Sequence, residues 1–128
     1  MAFPTFARVF LADDSAPIRA RVAALLGEHA VSVVGEAATP QACIAGILAS
    51  QPLVVVLDIQ LEGGTGLEVL RSVRQAAPDI AFVVFSNNAG PAYRKRYLVE
   101  GAVAFLDKSC DFEHLPRAIA EARARLTH

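Results

Sequence analysis

Six consecutive residues, Leu53-Val54-Val55-Val56-Leu57-Asp58, constrain this chain more than any other stretch. A run this apolar, without polar alternation, fits a strand covered on both faces, as at the centre of a parallel sheet. It ends on a carboxylate, and open α/β sheets bind their ligands beyond the carboxyl ends of their strands. Asp58 therefore reads as a nucleophile that accepts a phosphoryl group, with the remaining residues building its pocket or reporting its state.

Strand and helix signals alternate along the rest of the chain. Phe6 to Leu11 reads as a first strand, closing on Ala12-Asp13-Asp14. Ser15 and Pro17 start a helix whose apolar stripe is Ile18, Val22, Leu25 and Leu26. Val31 to Glu36 is a second strand, and Thr39-Pro40 is an N-cap followed by proline at the first helical position. Cys43, Ile44, Ile47 and Leu48 give that helix its buried face, and Gln51-Pro52 stops it. After Asp58 comes the loop Glu62-Gly63-Gly64-Thr65-Gly66, then a helix marked by Leu67, Leu70 and Val73. Ile80 to Phe85 is an apolar strand ending on Ser86, and Pro91 to Glu100 is a helix ended by Gly101. Val103 to Leu106 is a fifth strand, with Asp107-Lys108-Ser109 directly after it. The last helix spans roughly Asp111 to Leu126 and carries Leu115, Ile119, Ala122 and Leu126 on one face. Pro116 would delete a hydrogen bond inside a helix capped at Asp111, so regular helix is expected from His114 or Leu115, behind a looser turn.

Five such units in 128 residues predict one domain, residues 1–128. The fold class is α/β: a three-layer, doubly wound (βα)5 sandwich around a parallel sheet. In the flavodoxin-like strand order 2-1-3-4-5, the reversal between strands one and three gathers Asp13, Asp14 and Asp58 in one crevice.

Composition narrows the function classes. With 54% hydrophobic residues and a net charge of −1 the chain is a compact soluble globule, and its balance argues against charge-driven nucleic-acid binding. No apolar run reaches about 18 residues, so no membrane span is expected. Met1 to Phe6 lacks the basic start and apolar core of a signal peptide, and Cys43 and Cys110 have no pairing or metal-ligand spacing; a reducing cytoplasm is the expectation. His29, His114 and His128 are scattered, and the glycines after Asp58 match neither the P-loop nor the dinucleotide fingerprint.

Three carboxylates in one crevice repel one another unless a cation neutralises them. Mg2+ suits an all-oxygen site built on one or two carboxylates, waters and a phosphate oxygen. Phosphoryl transfer asks the protein mainly for position and charge neutralisation. Lys108 can supply a positive point charge, and Ser86 a hydroxyl hydrogen bond.

Over essentially its full length the chain resembles the receiver domains of two-component response regulators, of the single-domain type. The resemblance is carried by Asp13-Asp14, Asp58 with its glycine-rich loop and Gly66-Leu67-Glu68-Val69-Leu70, Ser86, Gly101-Ala102-Val103-Ala104-Phe105, and Lys108. It implies that Asp58 accepts a phosphoryl group from a histidine kinase or histidine phosphotransfer protein. It further implies that Asp14 binds Mg2+ directly and Asp13 mostly through water, with the backbone carbonyl of Gln60 completing the protein ligands. Ser86 and Phe105 would be the switch pair, read out on the surface formed by helix four, strand five and helix five. A downstream protein partner, or onward phosphotransfer, follows. The resemblance admits a phosphorylation-dependent homodimer and implies no enzyme activity beyond Mg2+-dependent self-phosphorylation and autodephosphorylation.

The chain departs from the family pattern at Glu62 and Ser109, where prolines are common, the second usually after a cis bond. A cis bond to a non-proline residue costs roughly 2.5 to 4 kcal/mol, so the loop carrying Lys108 is expected either to impose it or to differ. Gln60 and Asn88 hold the positions that tune hydrolysis in this family. Neither is a good general base, so a phosphorylated state that is not unusually short-lived is expected.

Two alternatives stand beside this reading. A degenerate receiver acting as a constitutive adaptor is suggested by Glu62 and Ser109. A Mg2+-dependent aspartyl phosphatase would need a second acid two residues after the nucleophile, where this chain has Gln60. The sequence stops after the fifth helix, which is expected of a stand-alone receiver and equally of a piece of a longer regulator. On helix four, Tyr93, Arg94, Arg96 and Tyr97 are the expected partner-docking surface, since aromatics with arginine are favoured at interfaces.

Overall fold

The computed structural model describes residues 7–88 and 90–126, the last two by backbone alone. Phe6, His128 and the side chain of Leu126 lie outside the described residues. Five parallel strands form one sheet: β1 (Ala7–Ala12), β2 (Val31–Ala37), β3 (Val54–Leu57), β4 (Ala81–Ser86) and β5 (Ala104–Asp107). Their order is β2-β1-β3-β4-β5, the expected flavodoxin-like arrangement. The connecting helices are α1 (Ala16–Gly27), α2 (Pro40–Ser50), α3 (Gly66–Ala76), α4 (Pro91–Val99) and α5 (Leu115–Leu126).

The unbroken apolar runs become the central strands because both their faces are covered. Every residue of β3 and of β4 is buried. Burying a Val or Leu side chain in this way contributes about 1.5 to 3 kcal/mol. Alternate residues face opposite layers. Phe10, Val55, Leu57, Phe82 and Val84 pack with Cys43, Ile47, Val69, Leu70 and Val73 of α2 and α3. Val9, Leu11, Val54, Val56, Val83 and Phe85 pack with Val22 and Leu26 of α1 and with Leu115, Ile119 and Ala122 of α5. Phe10 is seated beneath Gly46, where a Cβ would stand 2.7 Å from its ring. Cys43 is fully buried, and burial pushes its thiol up to about 11, so it packs and does not react.

The helix starts follow the cap signals. Ser15, Thr39 and Thr65 each accept a backbone N–H three residues on. Thr65 and Glu68 form a reciprocal capping box. A single 3₁₀ turn, Phe112–His114, precedes α5 and leaves Pro116 at the second helical position, where its missing N–H costs nothing. The loop after Asp58 holds a two-residue hairpin, Gln60–Leu61 against Gly64–Thr65. At the strand ends, β3 stops at Leu57, so Asp58 lies just past it, and β5 runs one residue further than expected, to Asp107.

Candidate functional site

The sheet brings the carboxyl ends of β1, β3, β4 and β5 to one edge, and five of the expected side chains meet there. The Asp58 N–H donates to Ala12 O at 2.9 Å and the Asp13 N–H to Ala37 O at 3.1 Å, which extends the ladder just past the strands and fixes both acids at its rim. Gly66 passes so close over Asp58 that a Cβ on it would lie 2.2 Å from the Asp58 carbonyl oxygen. Only glycine permits that approach.

Lys108 Nζ stands 2.9 Å from Asp58 Oδ2 and 2.6 Å from Asp13 Oδ2. Asp13 Oδ1 accepts the Ser15 N–H at 2.8 Å. Carboxylate oxygens of Asp13, Asp14 and Asp58 all lie within 4.8 Å of one another, and no other such group occurs among the described residues. Asp13 and Asp58 are buried, while Asp14 is exposed. Asp58 retains 8% exposure, opening on a cleft of about 230 Å3 lined by Asp14, Ser15, Gln60, Ser86, Asn88 and Lys108.

The electrostatics follow from burial and from the charge count. Burial raises the Asp13 carboxyl, and the hydrogen bonds from Lys108 and Ser15 pull it only part of the way back. Burial alone would lower the Lys108 ammonium, but its bonds to Asp13 and Asp58 outweigh that and hold it above its ordinary value. One ammonium faces three carboxylates, so the cleft carries excess negative charge. Its free donors are hard oxygens, which fits Mg2+ better than a softer metal.

Ser86 is 1% exposed at the end of β4, and its Oγ accepts the Asn88 N–H at 3.1 Å. Val84 pairs with Phe105 and Ser86 with Asp107, so Ser86 and Phe105 sit diagonally on one face of neighbouring strands. Phe105 is 3% exposed and packs edge-on against Tyr97, ring centroids 6.2 Å apart.

The expected surface on α4 requires one correction. Tyr93 is 50% exposed and Arg96 is exposed, but Tyr97 is buried at 4% and belongs to the core. It is the only buried residue of α4, wedged on Phe105 beside Ala102. Arg94 lies over the outer side of the Phe105 ring, 5.2 Å from its centroid.

Several residues that support the site carry no motif in the sequence. Arg19 donates to the Asp13 carbonyl oxygen at 2.5 Å and pairs with Glu36 at 2.7 Å, tying α1 and β2 to the acidic loop. Asp107 and Asp111 bind backbone and side chain around Lys108. Their one sequence signal was nearness to Lys108, Asp107 directly before it and Asp111 three residues after. No cis peptide bond occurs among the described residues, so the bond between Lys108 and Ser109 is trans.

A family model described as the response regulator receiver domain matches residues 9–120. The chain is 30% identical over 118 residues to the DNA-binding transcriptional activator DevR/DosR of Mycobacterium tuberculosis, covering 91% of this chain and 54% of that protein. It is 30% identical over 112 residues to the transcriptional regulatory protein DesR of Bacillus subtilis, covering 87% and 55%. The chain thus spans about half the length of these relatives. The crystal structure of a LuxR-family two-component response regulator from Aurantimonas sp. SI85-9A1 superposes with TM-score 0.90 at 29% identity, covering 94% of this chain and 87% of that one. A CheY-like receiver domain from Methanospirillum hungatei JF-1 shares the fold, with TM-score 0.86 at 21% identity over 96% and 98% of the two chains.

Proposed function

Because the chain belongs to the response regulator receiver domain family of two-component signalling, we propose that Asp58 accepts a phosphoryl group from a histidine kinase or histidine phosphotransfer protein. The observation that carries this reading is the contact of Lys108 with both Asp58 and Asp13 at the mouth of an oxygen-lined cleft. In the transfer, an Asp58 oxygen forms a bond to phosphorus as the bond from phosphorus to the donor imidazole nitrogen breaks. The imidazole leaves with the electron pair of that bond. Asp58 is already fixed in place by its backbone and by Lys108, so little reorganisation is needed. As the phosphoryl oxygens arrive, Lys108 neutralises part of their charge, and the Ser86 hydroxyl can turn to donate to one of them.

Asp13, Asp14, Asp58 and the Gln60 carbonyl would hold Mg2+, whose chemistry there is to neutralise charge on the transferred group. Phe105 lies on the same sheet face as Ser86, so movement of Ser86 toward the phosphoryl group alters the packing of Phe105 and of α4. The α4-β5-α5 surface would then bind a protein partner, with Tyr93, Arg94 and Arg96 as its aromatic and basic contacts. The excess of acids in the cleft favours this reading over a constitutive adaptor, which has no use for the repulsion they store.

The test is incubation with acetyl phosphate and Mg2+ followed by intact mass measurement. The expected result is a gain of one phosphoryl group, absent without Mg2+ and absent from Asp58→Asn. An unmodified wild-type mass, or equal modification of Asp58→Asn, would overturn it. Phosphoryl loss on the scale of a second would contradict the passive roles of Gln60 and Asn88.

A further inference from the structure

Lys108 sits in a loop whose peptide bonds are all trans, and Ser109 follows it. A flexible four-carbon side chain finds two carboxylates reliably only when the backbone beneath it is fixed. β5 fixes one side: the Lys108 N–H donates to Ser86 O at 3.0 Å, the last rung between β4 and β5. On the other side the chain must leave the sheet within a few residues and turn into the 3₁₀ segment, where no ladder can hold it.

A set of side-chain bonds does so instead. Asp107 Oδ1 accepts both the Ser109 N–H, at 2.8 Å, and the Ser109 hydroxyl, at 2.6 Å. Asp111 Oδ2 accepts the Asp107 N–H at 2.9 Å, and the Asp111 N–H returns to the Asp107 carbonyl at 2.8 Å. The second Asp111 oxygen lies 3.2 Å from His114 Nδ1 in the turn that opens α5. Lys108 is the residue enclosed by these bonds, and its side chain leaves them for the cleft. Asp107 and Asp111 do not belong to the carboxylate group of the cleft, and their carboxyls are held below the ordinary carboxylate range chiefly by the hydrogen bonds they accept. Acids spent entirely on loop donors are structural anions, distinct from the three in the cleft.

We infer that Asp107, Ser109 and Asp111 are positioning residues for Lys108: a closed carboxylate clasp that aims the ammonium at Asp58 and Asp13 in an all-trans loop. The inference rests on Lys108 serving the phosphoacceptor, and its first readout does not depend on phosphorylation.

That readout is the Lys108 ammonium itself, observed by 15N-edited NMR of the full chain, assigned through Lys108→Arg. In the wild type the ammonium, caught between two buried carboxylates, is expected to give a resolved, slowly exchanging signal. Asp107→Ala should erase or broaden it, Ser109→Ala should weaken it, and Asp107→Asn should restore it, because the amide oxygen can accept both Ser109 donors. Backbone amide spectra outside residues 104–114 should stay unchanged, which separates lost aim from lost fold. If Asp107→Ala proves unfolded, Asp111→Ala, which removes the acceptor of the Asp107 N–H, carries the same expectation. A second readout is the rate of modification by acetyl phosphate at saturating Mg2+, expected to fall about tenfold in Asp107→Ala with Mg2+ affinity retained. A Lys108 signal unmoved by Asp107→Ala, or by Asp111→Ala where Asp107→Ala does not fold, would overturn the inference. A wild type that takes up no phosphoryl group yet shows the expected ammonium changes would overturn the proposed function and leave the clasp standing.

Discussion

At the scale of single residues, the site depends on places where one side chain or its absence decides the geometry. Gly66 is the clearest. Its missing Cβ lets the start of α3 cross the Asp58 carbonyl, and the backbone on both sides leaves no room to yield. Gly66→Ala should therefore destabilise the protein by about 1 to 3 kcal/mol, read as a shift in the urea midpoint at unchanged slope. Tyr97 allows a second check. Burial pushes its phenol up to about 12, although the Leu67 backbone offers its oxygen a hydrogen bond that works the other way. The folded chain thus keeps this proton where the unfolded chain, at 10.0, begins to release it. The folded state then binds more protons, so this group's contribution to stability falls as pH rises from 10 toward 12. In Tyr93→Phe, which leaves Tyr97 as the one tyrosine, ultraviolet titration should place ionisation near 12 or only on unfolding. Ionisation near 10 in the folded protein would contradict its burial.

At the scale of elements, α4 is the least attached. Tyr97 is its only buried residue, and just beyond its end Glu100 pairs with Arg71 of α3 in an exposed contact that solvent screens and that therefore stabilises little. Removing the ring, in Tyr97→Ala, should cost about 3 to 5 kcal/mol in the extreme of a fully held site. The loss should appear as faster amide exchange across Pro91–Val99, with β1 and β3 protected as before. Uniform acceleration across the sheet would show that α4 is no separate unit. The same weakness explains what the sequence concealed. The central strands were legible because burial on two faces leaves an unmistakable apolar run, and the caps because Ser15, Thr39 and Thr65 act locally. On α4 there is no stripe to read. Tyr93 and Tyr97, four residues apart, differ by roughly 40° around a helix, enough at its edge to leave one ring in water and turn the other inward. Asp13, Asp14, Asp58, Ser86 and Lys108 were found in the sequence because strand ends converge in this topology. Arg19, Glu36, Asp107 and Asp111 were not, since their roles arise from hydrogen bonds that no spacing announces.

At the scale of the whole molecule, the acidic edge sets function against stability. With its carboxyl raised by burial, folded Asp13 keeps its proton to higher pH than the unfolded chain does. Its contribution is therefore fully present below the unfolded value of 3.8 and is lost as pH rises from there through the raised folded value, above which the ionised acid is a burden on the metal-free protein. Asp13→Asn should raise metal-free stability by about 1 kcal/mol, while wild type alone should gain strongly in melting temperature on adding Mg2+. Differential scanning calorimetry in chelator and in Mg2+ measures both. A wild type indifferent to Mg2+, or an Asp13→Asn that responds as wild type does, would contradict this account of the cleft.

The sheet also divides the interior into two apolar chambers that share no side chain. Ser86 and Phe105 point into the chamber under α2, α3 and α4, while Leu115, Ile119 and Val22 fill the other. A displacement of Ser86 at the cleft rim therefore meets the packing of Phe105 and Tyr97 on one side of the partition, and the sheet shields the other side from it. Substitutions of Val22 or Leu26 under α1, behind the partition and remote from α4, can retune thermal endurance with the packing around Phe105 left intact.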